Sequence, residues 1–146
     1  MKKEKNYPLV TVYITNHNYG KYLNRAIKSV LVQSFKNFEL IIIDDGSNDS
    51  SEKIIKRYNN HKKITTIFQK NKGLTVSNNL ALRLAKGKYI MRLDSDDWLD
   101  PHAIEVMSSI LGRNKKIGLV FPDYFEVDNG GKILRLMRRH DFRKVK

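Results

Sequence analysis

An α/β fold with a mostly parallel, Rossmann-like sheet flanked by helices is predicted by three observations. Strand-like and helix-like segments alternate as βαβαβαβα, the order that produces parallel strands joined by crossover helices. Residues 38–43 are almost uninterruptedly apolar, as a strand covered on both faces must be. Carboxylates gather just beyond the ends of two predicted strands, where open α/β sheets bind ligands.

The first strand is the β-branched run 9–14, closed by the polar stretch 15–20. Tyr22, Leu23, Ala26, Ile27, Val30 and Leu31 then recur at the spacing of one helix face. After the strand at 38–43, Asp49-Ser50-Ser51-Glu52 has the character of a capping box, and Ile54, Ile55 and Tyr58 mark a second helix. A third strand at 64–68 precedes the turn Asn71-Lys72-Gly73. The third helix carries Leu80, Leu82, Leu84 and Ala85, with Gly87 expected as a left-handed cap. Residues 89–93 form the fourth strand, and Asp100-Pro101 opens a fourth helix through Ile104, Val106, Met107, Ile110 and Leu111. A fifth strand is expected at 118–121, and a hairpin at 124–127 and 133–137 around Asp128-Asn129-Gly130-Gly131. The domain layout is a basic extension at 1–7, one domain at 8–137 and a basic tail at 138–146.

The 146 residues suit one domain with a real core, and 28 Lys+Arg against 15 Asp+Glu give a net charge of +13. No apolar run approaches the ~18 residues of a spanning helix, and no signal peptide is read at the start. The absence of cysteine excludes disulfides, thiolate metal sites and a Cys nucleophile, and fits a reducing cytoplasm.

Seven of the 15 carboxylates occupy two windows: Asp44, Asp45 and Asp49, then Asp94, Asp96, Asp97 and Asp100. Such clustering in a basic chain points to a divalent cation, Mg²⁺ or Mn²⁺, held by hard oxygen ligands. Asp94 and Asp96 lie two apart in extended chain, so both side chains can face one way. Asp45 suits a nucleobase that presents an imino N–H, as uracil, thymine and guanine do. Asp44 points to the opposite side and is expected to hold Ser47 and the turn. Asp49 and Asp100 are expected to cap helices.

Taken together, 10–18, 29–35 (Ser-Val-Leu-Val-Gln-Ser-Phe), 43–49 (Ile-Asp-Asp-Gly-Ser-Asn-Asp), 71–73, 77–79, 85–90 and 93–97 (Leu-Asp-Ser-Asp-Asp) resemble family 2 glycosyltransferases in order and spacing. The resemblance covers roughly 8–135 and implies the GT-A fold, in which a nucleotide-binding α/β half passes into an acceptor-binding half. It places Thr15 and His17 along the base and ribose, His17 standing where the family has Tyr. It places Asp45 on the base, Asp94 near ribose and diphosphate, and Asp96 on the metal, with Asp94 a second candidate ligand. Asn18, Lys72, Asn79 and Ser95 complete the donor-binding set. Asn78 stands where the family often carries Arg, which leaves Lys72 to contact phosphate.

The implied reaction is metal-dependent, inverting transfer of a sugar from a UDP-, GDP- or dTDP-linked donor to a hydroxyl of a saccharide or lipid-linked acceptor. The family's catalytic base lies in the acceptor half and is not identified before Lys146; Asp123 and Asp128 qualify by position alone. The sequence therefore reads as a donor half, cut short of the acceptor half. The alternative is a non-catalytic nucleotide-sugar-binding or partner-binding module. A phosphatase-like use of Asp94 and Asp96 is disfavoured, because that chemistry places its Asp-x-Asp after the first strand. Nucleic acid is not an expected partner, since no motif supports it and the carboxylate clusters repel phosphates unless a metal is bound. The excess charge instead suits the anionic inner face of a membrane where envelope polysaccharides are assembled, with the protein cytoplasmic or peripheral there.

Overall fold

The computed structural model describes residues 7–138. The basic segments expected at 1–7 and 138–146 therefore lie almost wholly outside the described residues. The chain divides between Ser108 and Ser109 into two compact units.

The first unit is a parallel sheet of four strands, β1 (Val10–Asn16), β2 (Phe38–Asp45), β3 (Ile64–Gln69) and β4 (Tyr89–Arg92), in the order β3-β2-β1-β4. Helices α1 (Gly20–Leu31), α2 (Ser51–Lys56) and α3 (Leu74–Leu84) connect them, and α4 (Ala103–Arg113) follows β4. The chain steps outward from β1 to β3 and then returns to the other side of β1. The order reverses between β1 and β4, and crevices at such reversals are where open α/β sheets hold ligands.

Alternation along β2 explains its unbroken apolar run. Leu40 and Ile42 pack with Val12, Ile14, Leu23, Ile27, Val30, Ile55 and Ile104 on the face of α1, α2 and α4. Ile41 and Ile43 pack with Tyr13 and Ala81 on the α3 face. Each such side chain contributes about 1.5–3 kcal/mol by leaving water.

Buried polar groups lock the connections. Gln33 is fully buried; its amide donates to the carbonyls of Ser29 (3.0 Å) and Asp100 (2.6 Å) and accepts from the Ile104 N–H at 3.0 Å. Ser29 Oγ accepts from Leu99 N–H at 3.1 Å. The segment 99–104 is thereby tied to the end of α1, which gives the 29–35 motif a structural purpose. Thr11 Oγ1 donates to Glu39 (2.7 Å) and accepts from Gly87 N–H (2.9 Å), while Glu39 also accepts from Lys86 N–H (2.7 Å).

Three expectations are corrected. Gly87 is not a left-handed cap; the glycines with positive φ are Gly46, Gly73 and Gly131. A Cβ at Gly87 would lie 2.4 Å from Thr11 N, so glycine is needed there for close approach, and α3 ends because Ala85 turns extended (φ −57°, ψ 132°). The capping box at 49–52 forms only in its first half: Asp49 caps as expected, accepting from Ser51 N–H (2.9 Å) and also from Gly20 N–H (2.8 Å), so that it serves the first turns of both α2 and α1, whereas Glu52 pairs with Lys56 at 2.6 Å. Residues 118–121 form no strand, and Leu119 and Phe121 are exposed; a short apolar run does not by itself specify a strand.

In the second unit, β5 (Tyr124–Val127) and β6 (Ile133–Met137) form the expected antiparallel hairpin. Its turn is held by Asp128, whose carboxylate accepts from the N–H groups of Gly130 (2.8 Å) and Lys132 (3.0 Å). Among the described residues, no helix is long and apolar enough to cross a membrane.

Gln33→Leu keeps the side-chain volume but strands the Ile104 N–H and Asp100 carbonyl, so urea unfolding is expected to show a loss of about 2–4 kcal/mol. A change below about 0.5 kcal/mol would remove Gln33 from its place as the tie between α1 and 99–104.

Candidate functional site

Adjacent residues of a strand point to opposite faces, and Asp44 and Asp45 use this to organise the end of β2 in two directions. Asp44 is buried and accepts from Asn16 Nδ2 (2.8 Å), Ser47 N–H (3.1 Å) and Ser47 Oγ (2.7 Å), tying the end of β1 to the turn after β2. This is the structural role expected of it. Asp45, 5% exposed, accepts from Gln69 Nε2 (2.6 Å), Lys72 N–H (3.0 Å) and Gly73 N–H (2.9 Å). It therefore holds the turn that leads from β3 into α3. Burial pushes the Asp45 carboxyl up, but the bonds from Lys72, Gln69, Gly73 and Ser77 outweigh it, leaving the group below the ordinary aspartate value.

Two glycines make the turn fit. Gly46 has φ 75°, and a Cβ there would lie 2.6 Å from Asn71 N; Gly73 has φ 85° as the N-cap of α3. His17 Nδ1 lies 2.9 Å from the Asp45 carbonyl, which can only accept, so Nδ1 is assigned the proton. Nε2 is then the acceptor for the amides of Asn71 (3.2 Å) and Asn18 (3.3 Å). Asn18 takes φ 61°, donates its N–H to Ser47 Oγ (2.9 Å) and accepts from Asn48 N–H (2.8 Å).

Thr15, Asn16, His17, Asp45, Leu74 and Ser77 line one small cleft of about 80 Å³ at the C-terminal ends of β1 and β2. Three of the residues singled out from the sequence, Thr15, His17 and Asp45, thus share a cleft. Lys72 is at its margin through its backbone bond to Asp45, whereas Asn79 is exposed farther along α3. Asp94, Ser95 and Asp96 follow β4, beside β1 in the sheet.

In that second group Asp94 and Asp96 are exposed and Ser95 is buried at 6% exposure. Asp94 is ion-paired with Arg92. The loop is held from α1: the Arg25 guanidinium lies 3.7 Å from the centre of the Trp98 ring and donates to the Asp96 carbonyl at 3.3 Å. Burial pushes the Asp97 carboxyl up, Asp96 and Asp94 push it further, and Arg25 offsets part of this. Among the described residues, no three His, Asp or Glu side chains converge as a ready metal cage.

Gln69, Asn71, Ser77, Arg92 and the Arg25–Trp98 stack escaped sequence reasoning. Gln69, Asn71, Ser77 and the Arg25–Trp98 stack gain their meaning from partners farther along the chain, and Arg92 from the sheet face it occupies; the signals offered were the turn at 71–73, the motif at 77–79 and the position of Gln69 at a strand end.

Because the Asp45 pKa is lowered on folding, its stabilisation is complete above the unfolded value near 4 and fades as pH falls through the folded value. Asp45→Asn is expected to destabilise the protein at pH 6, with the gap to wild type narrowing toward pH 3 in urea unfolding. A gap that stays constant or widens on acidification would contradict the assignment.

The sequence matches the profile described as Glycosyl transferase family 2 over residues 11–145. It is 37% identical over 131 residues to a chondroitin synthase of Escherichia coli, covering 89% of this chain and 19% of that protein. It is 34% identical to a hyaluronan synthase of Pasteurella multocida, covering 87% and 13%. An uncharacterized glycosyltransferase of Methanocaldococcus jannaschii is 35% identical, covering 100% and 52%. The chain thus spans only part of the length of each of these relatives. Among solved structures, S. aureus TarS 1-349 in complex with UDP-GlcNAc superposes with a TM-score of 0.66 at 25% identity, covering 71% of this chain and 31% of that one. The mannosyltransferase PcManGT of Pyrobaculum calidifontis, in complex with GDP-Man and Mn²⁺, gives 0.61 at 21% identity, covering 71% and 32%, and shares the α/β architecture. The motifs along 10–97, the parallel sheet with its reversal beside β1 and the profile match across 11–145 agree: this chain belongs to glycosyltransferase family 2.

Proposed function

We propose that this chain binds a nucleoside-diphosphate sugar at the C-terminal ends of β1, β2 and β4 and serves metal-dependent, inverting transfer of the sugar to an acceptor hydroxyl. The observation that carries the reading is the meeting of Thr15, His17 and Asp45 in one cleft beside the strand-order reversal, with Asp94 and Asp96 beyond β4. A carboxylate at the cleft wall accepts an N–H and so favours uracil, thymine or guanine. The UDP-GlcNAc bound by TarS makes UDP the first nucleotide to test. Thr15 and His17 flank the base and ribose in this reading; Asn18, Lys72, Asn79, Asp94 and Ser95 are the further donor contacts.

Mg²⁺ and Mn²⁺ are commonly held by one or two carboxylates together with substrate phosphates. The exposed Asp96, with Asp94 beside it, fits a divalent ion that arrives with the diphosphate, and the mutual repulsion felt at Asp97 favours a cation there. Once bound, such an ion neutralises charge on the departing nucleoside diphosphate. No residue of this chain is assigned as the base; Asp128 is committed to its hairpin turn.

The acceptor is proposed to be a growing saccharide or a lipid-linked glycan in polysaccharide or cell-envelope assembly, in keeping with the relatives that are polysaccharide synthases. Lys36, Lys62, Lys63 and Lys86 line a groove of about 520 Å³ at the N-terminal ends of β2 and β3, the end of the sheet opposite the cleft. This supports contact with an anionic membrane surface at the cytoplasmic face without obstructing the donor.

Isothermal titration is expected to show UDP binding that strengthens with Mn²⁺, and Asp96→Ala to abolish that dependence while leaving thermal unfolding unchanged. Binding of none of UDP, GDP and dTDP in the presence of Mn²⁺ would overturn the reading. Phosphatidylglycerol vesicles at low salt are expected to retain the wild type and to release the Lys62→Gln/Lys86→Gln variant at lower salt; equal retention would return these lysines to mere solubility.

A further inference from the structure

The proposed donor site has a charge problem that the sequence leaves open. A diphosphate brings negative charge to a place already crowded with carboxylates, yet position 78, where the resembled family often carries Arg, is Asn. Its Oδ1 is buried without a hydrogen-bond partner, and an amide oxygen offers nothing to a phosphate. Position 78 therefore supplies no cation, and Lys72 at the cleft margin would face the diphosphate with a single mobile ammonium.

Arg92 is the last residue of β4 and lies opposite Tyr13 in the β1–β4 ladder, at the reversal of strand order. Tyr89 and Met91 pack toward the core of α1, α2 and α4, so alternation puts Arg92 on the other face of the sheet. That is the face on which Tyr13 packs with Ala81 and Leu80 of α3, the helix that begins at the cleft. The Arg92 guanidinium is ion-paired with Asp94 Oδ1, and the two side chains are 39% and 48% exposed, so a ligand can reach both. Arg92 and Asp94 also act in opposite directions on the Tyr13 hydroxyl, whose pKa burial raises, which places both charges near the end of β1. Arg25 is already engaged by Trp98 and the Asp96 carbonyl.

We propose that Arg92 is a second diphosphate-binding cation of this site beside Lys72, paired with Asp94 in the donor-free protein and turned to phosphate oxygens when the donor enters. The proposal rests on the glycosyltransferase reading and adds to it a specificity-determining residue. A guanidinium presents a planar fork of N–H donors that matches two phosphate oxygens, which a lysine ammonium does not. Before the donor binds, the ion pair keeps Asp94 from adding an uncompensated charge beside Asp96 and Asp97. Afterward, Asp94 is released toward ribose or metal while Arg92 meets the phosphates, so both groups remain partnered. As the sugar leaves, charge grows on the nucleoside diphosphate, and a fixed guanidinium stabilises it without reorganisation.

The test compares uridine, UMP and UDP by titration in Mn²⁺ against wild type, Arg92→Gln and Arg92→Lys, with thermal unfolding as the check on folding. UDP affinity is expected to fall about tenfold to a hundredfold in Arg92→Gln and to recover in part in Arg92→Lys, while uridine affinity changes less than about twofold. The affinity ratio of UDP to uridine therefore collapses in Arg92→Gln. Equal UDP affinity in wild type and Arg92→Gln, or an equal loss for uridine and UDP, overturns the proposal while leaving the donor site in place. Failure of the wild type to bind any of UDP, GDP and dTDP overturns the donor-site reading and this proposal with it.

Discussion

Two neighbouring carboxylates at the end of β2 hold the site together. Asp44 and Asp45 face opposite sides of the sheet; one binds the end of β1 and the turn after β2, the other binds the turn between β3 and α3. Both are buried, and both remain acceptable there because several N–H donors surround them. The cleft exists because these ties bring Thr15, His17, Leu74 and Ser77 around one space. A single central strand thus sets the position of two loops that lie far apart in sequence.

The sheet supplies the rigid platform and α1 supplies the second tie. Arg25 and Gln33, eight residues apart on and just beyond α1, hold opposite ends of the stretch from Asp96 to Ile104. The acidic loop after β4 is consequently presented on a fixed framework even though Asp94 and Asp96 themselves face solvent. A framework of this kind positions charged groups for a ligand at little entropic cost on binding. Arg92 and Asp94 extend the same logic, since a pair of opposite charges can wait for a charged ligand without either charge standing alone.

The alternation of elements, the two-sided burial of β2 and the structural part of Asp44 were legible because they rest on local period and strand geometry. The errors have physical reasons as well. The place of Gly87 after a helix suggests a conformational purpose, whereas its purpose is steric, set by the backbone of Thr11 lying 76 residues away in sequence. Residues 118–121 have the composition of a strand but do not form one, since a short apolar run is ambiguous by itself. Gln33 and Arg92 looked like ordinary polar residues because the partner of Gln33 that matters, Ile104, lies 71 residues away, and the meaning of Arg92 depends on which sheet face it occupies. The parts of Gln69 and Ser77 were hidden because their bonds to each other and to Asp45 appear only once β3 has paired with β2.

The central claim is that the C-terminal ends of β1, β2 and β4, organised by Asp44 and Asp45, form one donor-binding surface. Hydrogen–deuterium exchange with and without UDP and Mn²⁺ tests this directly, because it reports the whole chain at once. Ligand-dependent protection is expected at 15–18, 45–48, 70–77 and 92–98, with the groove at the N-terminal ends of β2 and β3 unchanged. Protection confined to that basic groove, or spread evenly over the sheet, would contradict it.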